Sequence, residues 1–292
     1  MLKIRVPATS ANLGPGFDCA GAALKLYSYF SFEPAKELLI EGCPKSCCGE
    51  NNLVITAYRT VYEAAGRTYR SVHLIEDAHI PFSRGLGSSS SCIVAGALAA
   101  NIMLGEPFSK EELLGICTRI EGHPDNVAPC LLGGIVSGFS NGPHTMTAAF
   151  QPHEKWQFTA IIPNYEVSTH EARKSVRQEI KLSDAVYTTG HALAFMKALE
   201  TGDERMAGEA CRDVLHEPYR KKLIPDYETV RALAEAGGAA AFFISGSGST
   251  MIALCDRTKR GTAEAVKAAV LAQFPAFDVK ILDICRTGAQ AV

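Results

Sequence analysis

No stretch of these 292 residues is apolar for long enough to cross a bilayer. The longest helix-like apolar run, Cys92 to Leu104, falls well short of the roughly 20 residues that a span requires. Met1 leads straight into the strand-like Leu2-Lys3-Ile4-Arg5-Val6 without the apolar core and cleavage site of a signal peptide, so the sequence reads as cytoplasmic. An excess of one charge is also missing: 29 Lys and Arg stand against 31 Asp and Glu, with the signs interspersed. That argues against nucleic acid or anionic lipid as a partner, and any bound phosphate must be held locally. Ten cysteines are scattered along the chain, and the densest cluster, Cys43, Cys47 and Cys48, lacks C-x-x-C spacing and a nearby histidine. They read as free thiols, not as a zinc site. A Gly-Lys pair occurs nowhere, which removes a Walker-type loop, and neither H-E-x-x-H nor a strand followed by G-x-G-x-x-G is found.

What is present suits a globular protein: 47% apolar and 21% charged residues, over a length that allows two modest domains or one large one. Strand-like stretches at Lys3–Val6, Tyr27–Phe32 and Ser71–Ile75 alternate with helical periodicity at Leu53–Ala65 and with a second helix, rich in alanine and leucine, at Ser89–Leu104. A third helix is predicted from Ser109, where Glu112 completes a capping box, to Glu121. A turn cluster at Ser140–His144 precedes a strand and the polar Pro152-His153-Glu154-Lys155, which sets a boundary between residues 1–152 and 153–292. Beyond it, strands are predicted at Gln157–Pro163, Ala239–Ile244, up to Leu254 and at Asp278–Ile284. Helices are predicted at Asp184–Leu199, Glu204–Leu215, Asp226–Ala236 and Thr262–Leu271, after a polar stretch Ser168–Arg177. A hairpin flanked by helices between outer strands points to a two-layer α+β sandwich.

The most informative segment is Pro81-Phe82-Ser83-Arg84-Gly85-Leu86-Gly87-Ser88-Ser89-Ser90-Ser91, which joins a strand to the long apolar helix. The serines fall in that helix's first turn, where N–H groups have no internal partner and the dipole contributes about half a positive charge. Glycines let backbone approach an anion, and hydroxyls donate to phosphate or ligate magnesium. The segment therefore reads either as a polyphosphate cradle without a lysine or as an ordinary helix cap rich in serine.

This segment resembles the second motif of the GHMP kinases. Val6-Pro7-Ala8-Thr9-Ser10-Ala11-Asn12-Leu13-Gly14-Pro15-Gly16-Phe17-Asp18 is similar to the first motif, in the form found in the members that phosphorylate homoserine. Gly238 to Leu254, around Ile244-Ser245-Gly246-Ser247-Gly248-Ser249-Thr250, resembles the third, with Ser249 where the family usually has proline and hence a looser turn. The three occur in family order across nearly the whole chain. The resemblance implies an N-terminal β/α nucleotide-binding domain and a C-terminal ferredoxin-like α/β sandwich, with ATP and Mg2+ as cofactors and a small-molecule substrate. A homodimer is compatible with it. It implies that Pro81 to Ser91 bind ATP. It also implies that Glu121, in Arg119-Ile120-Glu121-Gly122-His123-Pro124-Asp125-Asn126, holds the metal with Ser89 or its neighbour Ser88. Asn52 is the adenine contact by resemblance and a helix N-cap by position.

L-homoserine needs a pocket with a cation for its carboxylate and an anion for its ammonium, and arginine's planar fork suits the carboxylate. By resemblance Thr169, Arg173 and Arg220 bind the amino acid, with Gly246 in the third motif. Asp18, with Asn12 beside it, meets the ammonium, and His123 and Asn126 line the site. Asp125 is either a catalytic base or a cap for the helix that follows. Readings left open are another hydroxy substrate such as threonine, a binding protein on the same fold, and a nucleic-acid binder.

Overall fold

A computed structural model describes residues 1–142 and 144–292. Two long strands, β1 (Leu2–Ala11) and β2 (Ala20–Pro34), run antiparallel, with Leu2 opposite Phe32 and Ala11 opposite Gly21. Their register shifts between Pro7 and Ala8, where proline has no N–H to give the ladder. β3 (Leu39–Glu41), α1 (Leu53–Ala64) and β4 (Val72–Asp77) follow, then the helices α2 (Ser88–Met103), α3 (Lys110–Glu121) and α4 (Pro124–Leu132). A hairpin of β5 (Ile135–Asn141) and β6 (His144–Phe150) completes the first half. Of the turn read at Ser140–His144, Pro143 lies outside the described residues. Gly138–Gly142 spell G-x-S-x-G, but they end a hairpin strand and not a strand-to-helix turn, so they build no nucleophile elbow.

The second half contains β7 (Trp156–Ile162), α5 (Thr169–Ser175), α6 (Leu182–Thr201), α7 (Glu204–Ala210), α8 (Glu217–Arg220) and α9 (Tyr227–Ala236). It ends with β8 (Ala241–Ile244), β9 (Met251–Asp256), α10 (Thr262–Gln273), β10 (Asp278–Leu282) and β11 (Gln290–Ala291). The four strands β10-β7-β9-β8 form an antiparallel sheet in ferredoxin-like order. The larger sheet runs β11-β1-β2-β4-β3, with β5 on β2 and β6 on β5. The chain's last strand thus returns from the second half to the edge of the first.

Three apolar clusters carry the molecule. One packs α1 and α2 on the first sheet, and one fills the ferredoxin-like layer. The third is shared: Ala8, Leu13, Leu24 and Leu86 from the first half pack with Trp156, Phe158, Phe195 and Phe243 from the second. This shared core holds the β1 end, the 81–87 loop and the second sheet in one arrangement.

Several predicted elements are corrected. The strand expected at Tyr27–Phe32 begins seven residues earlier, because Ala20–Leu26 lacks the β-branched residues that mark strands and is kept extended by pairing with β1. Gly21 there lies so close to the Asp125 carbonyl that no Cβ would fit, which lets α4 rest on β2. The helix expected at Glu204–Leu215 stops at Ala210, since Asp213 turns its carboxylate onto the N–H groups of Leu215, His216 and Glu217. The polar stretch at Ser168–Arg177 contains α5, capped by the Ser168 side chain. The short strands β3, β5 and β11 went unread because strands of two to seven residues carry little periodicity of their own.

Candidate active site

The second motif forms the turn that its glycines predict. Gly85 and Gly87 have φ of +79° and +71°, and Gly87 precedes α2 without any side-chain cap. A Cβ on Gly87 would collide with the Thr9 hydroxyl, so glycine is required twice over, by backbone angle and by space. Ser88 to Ser91 form the first turn of α2, which leaves the early N–H groups to meet an anion. Ser91 Oγ turns back to the Ser88 carbonyl at 2.7 Å. Ser89 and Ser90 donate to Glu121 Oε2 and Oε1 at 3.0 and 2.7 Å, so the end of α3 meets the start of α2. Glu121 ends α3, as the sequence predicts, and Gly122 takes a left-handed cap after it.

The third motif lies against the second. Ser245 Oγ donates to the Gly85 carbonyl at 2.6 Å, and the Thr250 N–H donates to the Arg84 carbonyl at 3.0 Å. Ser249 does not slacken the turn: its hydroxyl donates to the Tyr165 carbonyl at 2.7 Å and its side chain is buried. The Gly246 carbonyl accepts from Asn12 Nδ2 and from Arg220 Nη1, each at 2.9 Å. One backbone oxygen therefore links the first motif, the third motif and a predicted substrate arginine.

Asn12 and Asp18 adopt positive φ, and the Asp18 N–H donates to Asn12 Oδ1 at 3.0 Å. Arg173 grips the Asp18 carboxylate with both ends of its fork, at 2.9 and 3.1 Å. Arg220 differs from the solvated residue its polar surroundings suggest. It is 3% exposed, lies over the Phe17 ring at 4.9 Å, and its Nε has no hydrogen-bond partner among the described residues. An unpartnered guanidinium N–H at this depth calls for an anionic ligand. Thr169 Oγ1 lies 3.3 Å from Ser247 Oγ.

At the start of α4, His123 Nδ1 bonds the buried Asp125 carboxylate. Burial alone would lower the imidazole's pKa, but the hydrogen bond and charge of Asp125 outweigh it and the net shift is upward. Ligand atoms of Asp18, His123 and Asp125 lie within 4.8 Å of one another, a corner suited to an ammonium. Thr9 donates to Asn126 Oδ1 at 2.6 Å, which leaves the Asn126 amide N–H groups available.

A cleft of about 510 Å³ lies between the two halves and is lined by Asn12, Asp18, Ser83, Gly85, Gly87, Ser88, Ser89 and Glu121. His123, Asp125, Asn126, Thr169, Arg173, Arg220 and Gly246 complete it, so fifteen of the sequence-predicted residues meet there. Pro81, Phe82, Arg84, Leu86, Ser90 and Ser91 do not line it; Leu86, Ser90 and Ser91 are buried behind it, and Arg84 pairs with Glu166 at 3.0 Å. Asn52 lies outside the cleft. Its oxygen caps α1 through the Val54 and Ile55 N–H groups, and its amide nitrogen donates to Glu76 and to the Cys47 carbonyl. Sequence reasoning gave no role to Thr9, Phe17 or Ser247. The first two stand inside the first motif, which was the signal available.

Residues 52–134 match the family description "GHMP kinases N terminal domain", and residues 195–276 match "GHMP kinases C terminal". A homoserine kinase from Clostridium beijerinckii is 43% identical over 258 residues, 88% of this chain and 87% of that one. The chain belongs to the GHMP kinase family. A homoserine kinase from Caldicellulosiruptor bescii is 38% identical over 295 residues, covering 99% of this GHMP kinase and 96% of its relative. The crystal structure of homoserine kinase from Cytophaga hutchinsonii superposes with a TM-score of 0.87 at 30% identity, covering 100% of this chain and 97% of that one. No helix among the described residues of this GHMP kinase is long and apolar enough to cross a membrane.

Proposed function

We propose that this GHMP kinase transfers the γ-phosphoryl group of ATP to the side-chain hydroxyl of L-homoserine, giving O-phospho-L-homoserine for threonine biosynthesis in the cytoplasm. One observation carries the reading: a serine-lined helix start with a carboxylate faces two arginines and a carboxylate across a single cleft. That cleft offers phosphate binding at one end and amino-acid binding at the other. Relatives named homoserine kinase, 38–43% identical over most of their length, point to the same substrate.

Magnesium fits the donor set. Glu121 and the Ser89 hydroxyl supply hard oxygens 3.0 Å apart at the phosphate end, and these two residues would hold the ion. When bound, the ion would neutralise charge on the β- and γ-phosphates. The protein's share is positioning: the first-turn N–H groups of α2 hold the triphosphate, and Arg220 and Arg173 orient the carboxylate of homoserine. Asp18 and the His123–Asp125 corner take its ammonium. The substrate's alcohol then attacks phosphorus in line as the bond to the leaving ADP oxygen breaks, and its proton passes to an oxygen of the transferred phosphoryl group or to solvent.

Transfer proceeds without a strong base. The Asp125 carboxylate is buried and already bonded to His123 Nδ1, so it serves to orient that imidazole. Asp125→Asn is therefore expected to lower kcat by about tenfold or less, below the roughly 10²- to 10⁴-fold that a general base contributes, and to leave the shape of the pH–rate profile unchanged. A loss of several orders of magnitude with a missing acidic limb would make Asp125 the base.

Arg173 is tested by its fork. Arg173→Lys keeps the charge but cannot make two parallel bonds, so the homoserine KM should rise about tenfold while that for ATP stays within twofold. The assay is steady-state ADP release with each substrate varied in turn. Equal changes in both constants would remove Arg173 from homoserine recognition.

A further inference from the structure

Arg220 stands on a helix of one turn, too short to hold its own direction, and something else must aim it. Three contacts do so. Asp213 Oδ2 accepts the N–H groups of His216 and Glu217, each at 2.7 Å, which fixes the start of α8. His216 is fully buried, and its Nε2 donates to the Gly14 carbonyl at 2.8 Å, tying α8 to the first motif. Glu217 points the other way and accepts the Ile244 N–H at 2.5 Å on the free edge of β8. Two residues beyond Ile244 is Gly246, whose carbonyl receives Arg220 itself.

We infer that Glu217 is a positioning residue for homoserine recognition, its buried carboxyl locking α8 to the edge of β8 so that Arg220 and the Gly246 carbonyl keep one fixed relation. The inference rests on the reading of Arg220 as the carboxylate's partner. Glu217 has no place in the cleft. It lines a separate hollow of about 430 Å³ behind α8, so it touches neither substrate nor nucleotide. Arg220 and Glu217, three residues apart on the same turn, both reach the end of β8, at Gly246 and Ile244.

The chemistry of the lock is that of a neutral acid. Burial pushes the Glu217 carboxyl up to about 8 from its ordinary 4.5, against the lowering pull of the Ile244 hydrogen bond. The groups facing it are Asp213 and Cys211 before α8, and Tyr227 and Arg231 on α9. At neutral pH the protonated side chain accepts from Ile244 beside the Asp213 carboxylate. Once ionised, it would put two buried carboxylates against each other under α8. Because the folded value lies above the unfolded one, the stability this group contributes is full below pH 4.5 and falls as pH rises through 8.

Glutamine copies the protonated form and cannot ionise, so Glu217→Gln and Glu217→Ala separate the possibilities. E217A should raise the homoserine KM at least tenfold with the ATP KM within twofold. E217Q should keep both near wild type at pH 7. Between pH 7 and 9.5 the wild-type homoserine KM should rise several-fold more steeply than that of E217Q, a difference in which the substrate's own titration cancels. The Tm of E217Q should gain on wild type between pH 5 and 8. Parallel KM profiles for wild type and E217Q would overturn the proposal, and that test stands even if E217A fails to fold. So would an E217Q as impaired as E217A, or equal rises in both KM values. Arg220→Met run alongside keeps the two ideas apart: an unchanged homoserine KM there would reject Arg220's role, not the lock between α8 and β8.

Discussion

Glu121→Ala is expected to lower kcat by about 10³-fold, with the homoserine KM changed by less than threefold. Glu121 is the carboxylate joined to the first turn of α2, bonded by Ser89 and Ser90 at 3.0 and 2.7 Å. Phosphoryl transfer gives a protein little covalent work, so nearly all its contribution is charge placed where the triphosphate reacts. Losing one such group costs roughly 4 kcal/mol of barrier, about three decades in rate. Fold is not at stake, because α3 keeps its capping box at Ser109 and its glycine cap at Gly122. The measurement is single-turnover ADP formation with saturating homoserine over a magnesium titration. Near-normal turnover at ordinary magnesium would remove Glu121 from the reaction.

Arg220→Met is expected to have the second largest effect, on binding and not on turnover. Methionine retains much of the arginine's volume over the Phe17 ring but removes the charge and the Nε donor that has no partner among the described residues. A homoserine carboxylate would then keep only the more exposed Arg173 of its two cations, at a cost of about 3–4 kcal/mol. That corresponds to a homoserine KM raised by roughly 10²- to 10³-fold at pH 7.5, with the ATP KM unaffected. The Gly246 carbonyl keeps its bond from Asn12, so the turn survives. Calorimetric binding of homoserine, with a Tm to confirm folding, checks this directly. Affinity within threefold of wild type would refute the assignment.

The two arginines show where the sequence was legible and where it was not. Both stood in polar stretches and were marked out by the family resemblance, since nothing local distinguishes Arg220 from Lys221 or Lys222 beside it. Arg220 is buried because His216, one turn earlier, docks on Gly14, a contact across 202 positions. Asn52 is the reverse case. As a residue just before a helix it announced a cap, and a cap it makes. Thr9 was in plain view inside the first motif, yet its bond to Asn126 spans 117 residues and leaves no local trace.

By itself the sequence determined what depends on neighbours along the chain. It supplied the glycines at 85 and 87 that alone accept the turn's backbone, the serines at a helix start, the Ser109 capping box, the apolar periodicity of α1 and the alanine-rich run of α2. Tertiary structure decided everything that needs two distant segments to meet. The Gly246 carbonyl shared by Asn12 and Arg220, the fork of Arg173 on Asp18, and the return of β11 to β1 are all of this kind. The reason is physical: backbone angles and caps are set within about four residues, whereas burial is set by which surfaces the shared core presses together.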